Sequence, residues 1–284
     1  MSVRPIKQII KPQFVIEGAG VLLQRSFGPT RENLFDPFLL FDHFAFNDPI
    51  EGPIVGFPQH PHRGIETVTY MLEGNVRHRD SLGNTGLLGP GDIQWMTSGR
   101  GILHEEMPKR GPNGRVDGFQ LWVNLPAKDK MSQPRYQEIG SAEVPLIEAD
   151  GVQVRLVAGE YAGRRGPVTE IAIQPLYMEV ALDAGAEFKL PLPVGHAAFA
   201  YVCAGAGVFG PSRAAQVVEA VHFLEFDEGE AIRAVGEEDL RFLLFAGEPI
   251  REAIVPYGPF VMNTAEEIQQ VFEDIKNGTF AQPF

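Results

Sequence analysis

The sequence predicts an all-β protein of two barrels that ends in a helix. The 31 glycines and 23 prolines of its 284 residues are spread along the chain, which favours many short strands joined by tight turns. Segments that alternate or run apolar between turn residues recur in both halves of the chain. They span residues 66–74, 87–96, 118–126, 152–161, 177–185, 196–210 and 241–249. A chain of this length exceeds what a single hydrophobic core usually supports, so two domains are expected.

The division between the domains is predicted from a change in composition. Residues 127–150 are polar and contain prolines, as linkers often do. We therefore expect an N-terminal barrel over residues 1–135 and a C-terminal barrel over residues 136–284, the latter including a helical tail.

The helical tail is predicted over residues 264–278. Thr264 is the N-cap candidate, Glu267 completes a capping box three residues later, and Gly278 is a stop signal. The apolar face of this helix would consist of Ile268, Val271, Phe272 and Ile275.

The two halves resemble diverged copies of one unit. When Gly205 is laid over Gly74, the preceding segments align without a gap. The aligned pairs are His60 with Pro191, His62 with Pro193 and Glu66 with Ala197. If the protein binds a metal, the first copy alone is expected to carry the ligands.

Charge and composition disfavour several classes of protein. A net charge of −13 gives no affinity for a phosphate backbone, so direct binding of nucleic acid is not expected. Cys203 is the single cysteine, which excludes an intrachain disulfide. The N-terminus carries charges where a signal peptide would be apolar, and no apolar run has the length of a membrane span. We expect a cytoplasmic monomer that does not associate with membranes.

Two histidines separated by one residue form the first candidate ligand pair. His60 and His62 lie in the segment GFPQHPHRG. On a strand, side chains at positions i and i+2 point to the same face, so both imidazoles can reach one point.

A second pair repeats this spacing. His104 and Glu106 lie in GRGILHEEM, where alternation turns Glu105 to the opposite face. Three imidazoles and a carboxylate suit Fe(II), Ni(II), Mn(II), Cu(II) or Zn(II), and they suit Ca²⁺ or Mg²⁺ poorly. Glu66 also has the parity to point inward and competes with Glu106 as the carboxylate ligand.

Other polar and aromatic residues have simpler interpretations. His43 lies in an aromatic run and is expected to be packed or hydrogen-bonded in the core. His78 stands between Arg77 and Arg79 and is expected to be exposed. Trp95 and Trp122 are expected in the core, although either, like Gln120, can line a pocket for an aromatic substrate.

The spacing of these residues resembles a known superfamily. Residues 56–74 (GFPQHPHRGIETVTYMLEG) resemble the first cupin motif, and GPGDIQW (89–95) followed by His104 resembles the second. More narrowly, these segments together with GFQLWVNLP (118–126) and YGPFVMNT (257–264) resemble the pirin family of bicupins. The likeness covers most of the chain and is strongest over residues 36–126.

This resemblance implies a fold and a set of ligands. Pirins are two stacked cupin barrels, of the jelly-roll type, with one metal, usually iron, in the N-terminal barrel. Their carboxylate ligand comes two residues after the histidine of the second motif, which is Glu106 here. The resemblance therefore implies His60, His62, His104 and Glu106 as ligands. Glu66 would not bind the metal and would orient one of the coordinating imidazoles.

The resemblance also implies two alternative functions. Several pirins are assigned quercetin 2,3-dioxygenase activity, the O₂-dependent opening of a flavonol ring with loss of carbon monoxide, and Glu106 would then accept a proton from the substrate. Other pirins are implied to act as transcription cofactors or to bind metabolic enzymes, which would require a protein partner and no turnover. An open apolar channel above the metal would favour the enzyme, and a sealed site beside an exposed patch would favour the regulator.

Overall fold

A computed structural model describes residues 1–45 and 55–281 of the chain. The strands are β1 (Ile6–Ile10), β2 (Gln13–Glu17), β3 (Val21–Phe27), β4 (Phe38–Ala45), β5 (Phe57–His62), β6 (Ile65–Glu73), β7 (Asn75–Asp80), β8 (Thr85–Leu88), β9 (Ile93–Thr97), β10 (Ile102–Lys109), β11 (Asp117–Asn124), β12 (Arg135–Ile139), β13 (Leu146–Ala149), β14 (Val152–Ala158), β15 (Glu160–Tyr161), β16 (Arg164–Arg165), β17 (Leu176–Leu182), β18 (Glu187–Pro191), β19 (Ala197–Phe209), β20 (Gln216–Glu219), β21 (His222–Phe226), β22 (Ala231–Gly247), β23 (Val255–Tyr257) and β24 (Phe260–Met262). A 3₁₀ turn spans Ala127–Asp129, and helix α1 spans Ala265–Asn277. No helix in this described part of the chain has the length and apolarity that crossing a membrane requires.

The chain forms two compact units that are not consecutive halves. The first barrel comprises Gln13–Ser141 and Ile250–Phe284, and the second comprises Met1–Pro12 and Ala142–Pro249. The expected division at residues 135 and 136 differs from these units at both ends of the chain. Strand β1 pairs with β21 in the second barrel, while the C-terminal segment belongs to the first. These pairings join residues that are far apart in the sequence, so no local sequence pattern predicts them.

The segment expected to be a linker contains two paired strands. Within residues 127–150, β12 pairs with β9 in the first barrel, and β13 pairs with β14 in the second. The polar residues of this segment lie on edge strands, where half of each strand faces solvent, and this explains its linker-like composition.

Two antiparallel sheets build the first barrel. One has the strand order β12-β9-β6-β11-β4-β3-β2, and the other has the order β5-β10-β7-β8. Thr69 on β6 donates a hydrogen bond to Glu106 on β10, so the inner faces of the two sheets meet across the barrel. An apolar cluster that includes Val21, Leu23 and Phe44 fills part of this interior.

The second barrel has an apolar interior. Its main sheet follows the order β1-β21-β19-β22-β17-β14-β13. The inward side chains of β19 include Ala198, Ala200 and Val202, which belong to one large apolar cluster. In the repeat alignment these three residues correspond to Thr67, Thr69 and Met71 of the first barrel. At two of these positions the second copy therefore has the methyl group of alanine where the first has the hydroxyl of threonine.

The glycines used to align the repeats occupy equivalent conformations. Gly74 has φ 73° and Gly205 has φ 65°, a left-handed region that disfavours side chains. A Cβ would lie 2.7 Å from the carbonyl oxygen of Arg115 at Gly74 and 2.0 Å from that of Glu238 at Gly205. Both turns therefore require glycine, which supports the descent of both barrels from one unit.

Helix α1 confirms the predicted capping signals. The Thr264 side chain accepts a hydrogen bond from the Glu267 backbone, and the Glu267 side chain accepts one from the Thr264 backbone, which completes the capping box. Gly278 ends the helix at φ 69°. The predicted apolar face is only half buried. Ile268 and Val271 are in a core cluster, whereas Phe272 and Ile275 are 42% and 44% exposed.

Candidate metal centre

Strand register brings three predicted ligands together. β5 and β10 are antiparallel neighbours, and His60 lies directly opposite His104. Alternation along β5 puts His62 on the same face as His60. One ring nitrogen from each of His60, His62 and His104 lies within 4.8 Å of the others. Three imidazoles therefore converge on one point.

Backbone carbonyls orient two of these rings. His60 Nδ1 lies 2.9 Å from the Pro58 carbonyl oxygen, and His62 Nδ1 lies 3.2 Å from that of Pro259. A carbonyl oxygen can only accept a hydrogen bond, so both Nδ1 atoms are donors. In a neutral ring this leaves Nε2 with a free lone pair, the form that a metal binds.

The third ring, His104, is buried without a hydrogen-bonding partner. It is 1% exposed, and neither ring nitrogen meets a hydrogen-bonding group of the described residues. Burial, together with the neighbouring histidines, holds the pKa of His104 well below its usual value. Burial and His60 likewise lower the pKa of His62 to about 3. Neutral imidazoles with unsatisfied nitrogens fit a divalent transition metal.

Glu106 lies on the same face of β10, with both carboxylate oxygens hydrogen-bonded. Thr69 Oγ1 donates to Oε1 at 3.0 Å, and Gln120 Nε2 donates to Oε2 at 2.9 Å. Gln120 Oε1 in turn accepts from Trp122 Nε1 at 3.3 Å. Glu106 is not part of the group of three converging histidines. The Glu106 side chain is buried, with 4% of the residue exposed, and hydrogen bonds from two neutral donors fix its position.

Glu66 points away from this site. It lies three residues before Thr69 on β6, so the two side chains occupy opposite faces of the sheet. Glu66 is fully buried and accepts a hydrogen bond from Thr97 Oγ1 at 2.7 Å. Burial raises its pKa to about 7. The expectation that Glu66 faces inward and orients an imidazole is therefore wrong.

A turn explains this error. An even spacing such as that from His62 to Glu66 places two side chains on the same face only along a continuous strand. Here the strand is interrupted, because β5 and β6 belong to different sheets. Gly64 lies between them at φ 82°, where a Cβ would lie 2.2 Å from the Val261 carbonyl oxygen. The direction of the chain changes here, and the alternation starts again at Ile65.

The residues around β7 contain a second correction. His78 is fully buried, not exposed, and pairs in register with Glu106. Its flanking arginines point outward, where Arg77 and Arg79 lie 3.7 Å and 3.9 Å from Glu105. Glu105 thus faces away from the site, as alternation predicts. The same alternation in NVRHRD would have placed His78 inside.

The remaining candidates agree with their expected roles. His43 is 7% exposed and donates from Nε2 to Asp117 at 2.8 Å, as a hydrogen-bonded core histidine. Trp95 is fully buried. Trp122 and Gln120 both line the cavity beside the histidines.

This cavity has a volume of about 480 Å³ and opens onto the site. His60, His62 and Glu106 lie in its wall. Apolar side chains form much of the remainder, among them Leu23, Leu40, Phe44, Phe57, Val76 and Trp122. Its size and lining are typical of a site for a small organic molecule.

The C-terminal segment completes the site in a way that the sequence did not predict. Pro256, Gly258 and Pro259 line the cavity, and the Pro259 carbonyl orients His62. In the sequence the segment YGPFVMNT shows only its likeness to the family, because nothing local links it to a histidine about 200 positions earlier.

Comparisons with known proteins identify the family. A family model described as Pirin matches residues 20–123, and one described as Pirin C-terminal cupin domain matches residues 177–281. The Pirin-like protein of Caulobacter vibrioides is 45% identical over 282 residues, which cover 99% of this chain and 100% of the relative. The pirin of Homo sapiens is 46% identical over 266 residues, which cover 92% of this chain and 88% of the relative.

A solved structure extends the likeness to three dimensions. The crystal structure of quercetin 2,3-dioxygenase from Acinetobacter baumannii is 34% identical, with a TM-score of 0.88, and the match covers 98% of this chain and 99% of that one. The predicted fold class, all-β with two cupin barrels and a C-terminal helix, is confirmed. The family models and the extent of these matches show that the chain belongs to the pirin family.

Proposed function

We propose that the protein is a metal-dependent dioxygenase of the flavonol type, which opens the central ring of its substrate with O₂ and releases carbon monoxide. One observation carries this proposal: three imidazoles converge on one point, and two of them, His60 and His62, line an accessible, largely apolar cavity of about 480 Å³ together with Glu106. The likeness to a quercetin 2,3-dioxygenase of Acinetobacter baumannii supports it.

The proposed ligands of the metal are His60, His62, His104 and Glu106. Fe(II) is the metal we expect, and Ni(II), Mn(II), Cu(II) and Zn(II) suit the same donors. When bound, the metal would supply Lewis-acid stabilisation of negative charge on a substrate oxygen.

Glu106 is proposed to accept the proton of the substrate's 3-hydroxyl. Each carboxylate oxygen has about two lone-pair positions, and the hydrogen bonds from Thr69 and Gln120 use one on each. Capacity for a substrate proton therefore remains. Because both donors are neutral, they hold the carboxylate in place without supplying a positive charge.

The cavity favours turnover over a purely regulatory role. A flavonol is planar and largely aromatic, and the walls around His62 and Trp122 offer it apolar surface. A regulator that only senses its metal would need no such space beside the ligands. The accessible cavity is the feature that we expected of the enzyme.

Reconstitution tests the proposal. The protein is stripped of metal, loaded anaerobically with each divalent ion in turn, and then given quercetin in air while absorbance and carbon monoxide are followed. We expect metal-dependent loss of quercetin with matching release of carbon monoxide, and a large loss of rate in Glu106→Gln. If no metal supports consumption of quercetin, the proposed reaction is wrong.

A further inference from the structure

A row of polar side chains crosses the inner face of the larger sheet of the first barrel. Arg25 on β3 lies opposite Asp42 on β4, and Asp42 lies opposite Gln120 on β11. Gln120 in turn lies opposite Thr69 on β6. Directly opposed residues of antiparallel strands share a face, so the row is continuous. It begins beside Glu106, which both Gln120 and Thr69 contact, and it ends at Arg25.

The far end of this row is an ionic trio of Arg25, Asp42 and Glu17. Arg25 Nε and Nη2 donate to the two oxygens of Asp42, both at 2.8 Å, and Nη1 donates to Glu17 at 2.8 Å. All three residues line the same cavity as the histidines. The Asp42 side chain is 5% exposed, that of Arg25 is 24% exposed, and that of Glu17 is 43% exposed. The trio is thus held rigidly in a wall that is otherwise largely apolar.

The trio has a net charge of −1 and spare acceptor positions. One arginine cannot neutralise two carboxylates. Each Asp42 oxygen accepts one hydrogen bond from Arg25, which leaves a second lone pair on each oxygen. The trio can therefore accept hydrogen bonds from hydroxyl groups of a ligand. Its charge opposes a ligand that brings another carboxylate.

The spacing between the two ends of the row sets the length of the ligand. Neighbouring strands are about 4.8 Å apart, so Arg25, two strands from Gln120, lies roughly 10 Å from it along the wall. That distance matches a molecule of two or three aromatic rings with one end at Glu106. The apolar side chains Leu40 and Phe44 of β4 flank Asp42 on the same face and line the cavity with it.

We infer that Arg25, Asp42 and Glu17 recognise hydroxyl groups at the end of the substrate remote from the reacting bond, so that the substrate class is a neutral polyhydroxylated aromatic compound rather than an aromatic acid. This inference rests on the proposed function for the placement of the other end of the substrate at Glu106.

A binding comparison tests the inference without requiring turnover. The affinities of quercetin and of 3-hydroxyflavone, the same ring skeleton with only the 3-hydroxyl, are measured by calorimetry on Fe(II)-loaded protein under nitrogen. The quantity of interest is the ratio of the two affinities. Asp42→Asn should lower this ratio about tenfold relative to the unaltered protein, the effect of one hydrogen bond to a charged group. Glu17→Gln, which keeps the Arg25–Asp42 pair, should lower it about threefold because less negative charge remains.

A matched control is available in the second barrel. Glu179 is a buried carboxylate that pairs with Arg241, and Glu179→Gln should leave the ratio within about 1.5-fold of the original. Thermal unfolding checks that each variant is folded, and Glu17→Gln provides the test if Asp42→Asn is not. If the folded variants leave the ratio unchanged, or if the unaltered protein binds neither flavonol, the inference is overturned.

Turnover of 3-hydroxyflavone in air separates this inference from the proposed function. Release of carbon monoxide from it with no discrimination between the two ligands would uphold the function and overturn the trio's role. Discrimination in binding without turnover would uphold the trio's role and overturn the function.

Discussion

Gln120 Nε2 donates a hydrogen bond to Glu106 Oε2 over 2.9 Å. The orientation of this amide is fixed by Trp122, whose indole N–H can only donate and meets Gln120 Oε1 at 3.3 Å. The tryptophan thus determines that the amide presents its N–H groups, and not its oxygen, to the carboxylate. Thr69 holds the other oxygen of Glu106 from β6.

Removing the Gln120 amide should therefore weaken metal binding. In Gln120→Met, Glu106 loses a donor that orients it, and loss of such a supporting hydrogen bond typically weakens metal affinity about 10- to 100-fold. Trp122→Phe should have a smaller effect in the same direction, because the amide remains but is free to turn. Competition with a chelator measures both. An affinity in Gln120→Met within about twofold of the original would show that Glu106 needs no such support.

Glu66→Gln should retain the metal and change the pH dependence of stability. The pKa of Glu66 is raised to about 7 in the folded protein from an ordinary value of 4.5. The folded state therefore binds more protons between these values, and the free energy of unfolding should fall as pH rises from 4.5 to 7. Glutamine removes this dependence, so the variant should be more stable than the original at pH 8, by about 3 kcal/mol at most.

Urea unfolding at pH 5 and pH 8 measures the change produced by Glu66→Gln. An unaltered dependence on pH would contradict the burial argument. A loss of bound metal would instead return Glu66 to the ligand set.

Lys130 is expected to support the first barrel through three neutral acceptors. Its ammonium donates to the backbone oxygens of Gly64 and Val261, both at 2.8 Å, and to Asn124 Oδ1 at 2.7 Å. Lys130→Met leaves these acceptors buried without a donor and should lower the free energy of unfolding by about 2 to 5 kcal/mol. The exposed neighbour Lys128→Met is the matched control and should change little.

The pH dependence of Lys130 has the opposite sign to that of Glu66. Burial lowers the pKa of Lys130 to about 7 from 10.5, so the unfolded state binds more protons between these values. Its contribution should make the protein more stable as pH rises from 7 to 10.5, and Lys130→Met should remove that slope. If the free energy of unfolding still rises between pH 7 and 10.5 in Lys130→Met, other groups cause that rise.

Helix α1 offers a local test of stability. Thr264→Ala removes the side-chain acceptor for the Glu267 backbone and should cost about 1 kcal/mol. Thr264→Ser keeps the acceptor and should cost much less. Thermal unfolding compares the two variants, and equal losses would show that the cap does not stabilise the folded protein.

Alternation along a strand predicted much of the site from sequence. It paired His60 with His62, placed Glu106 on the face of His104, and turned Glu105 outward. The same rule failed for Glu66, because it was carried across the turn at Gly64 into a different sheet. The same alternation buries His78, whereas its position between Arg77 and Arg79 predicted that it is exposed.

Contacts between distant parts of the chain had no local signature. The carbonyl of Pro259 that orients His62, and the ionic trio that begins with Glu17, come from segments far from the histidine motifs. Their roles depend on strand order and on the C-terminal segment joining the first barrel, which only the folded structure reveals.

The metal content of His62→Ala tests the proposed metal centre most directly. Its ring is one of the three convergent imidazoles, and its removal should reduce bound metal from near one equivalent to a small fraction while the barrel remains folded. His222→Ala, in the second barrel, is the control and should keep the full content. Metal analysis after dialysis gives the answer, and a His62→Ala protein that retains one equivalent would contradict the metal centre described above.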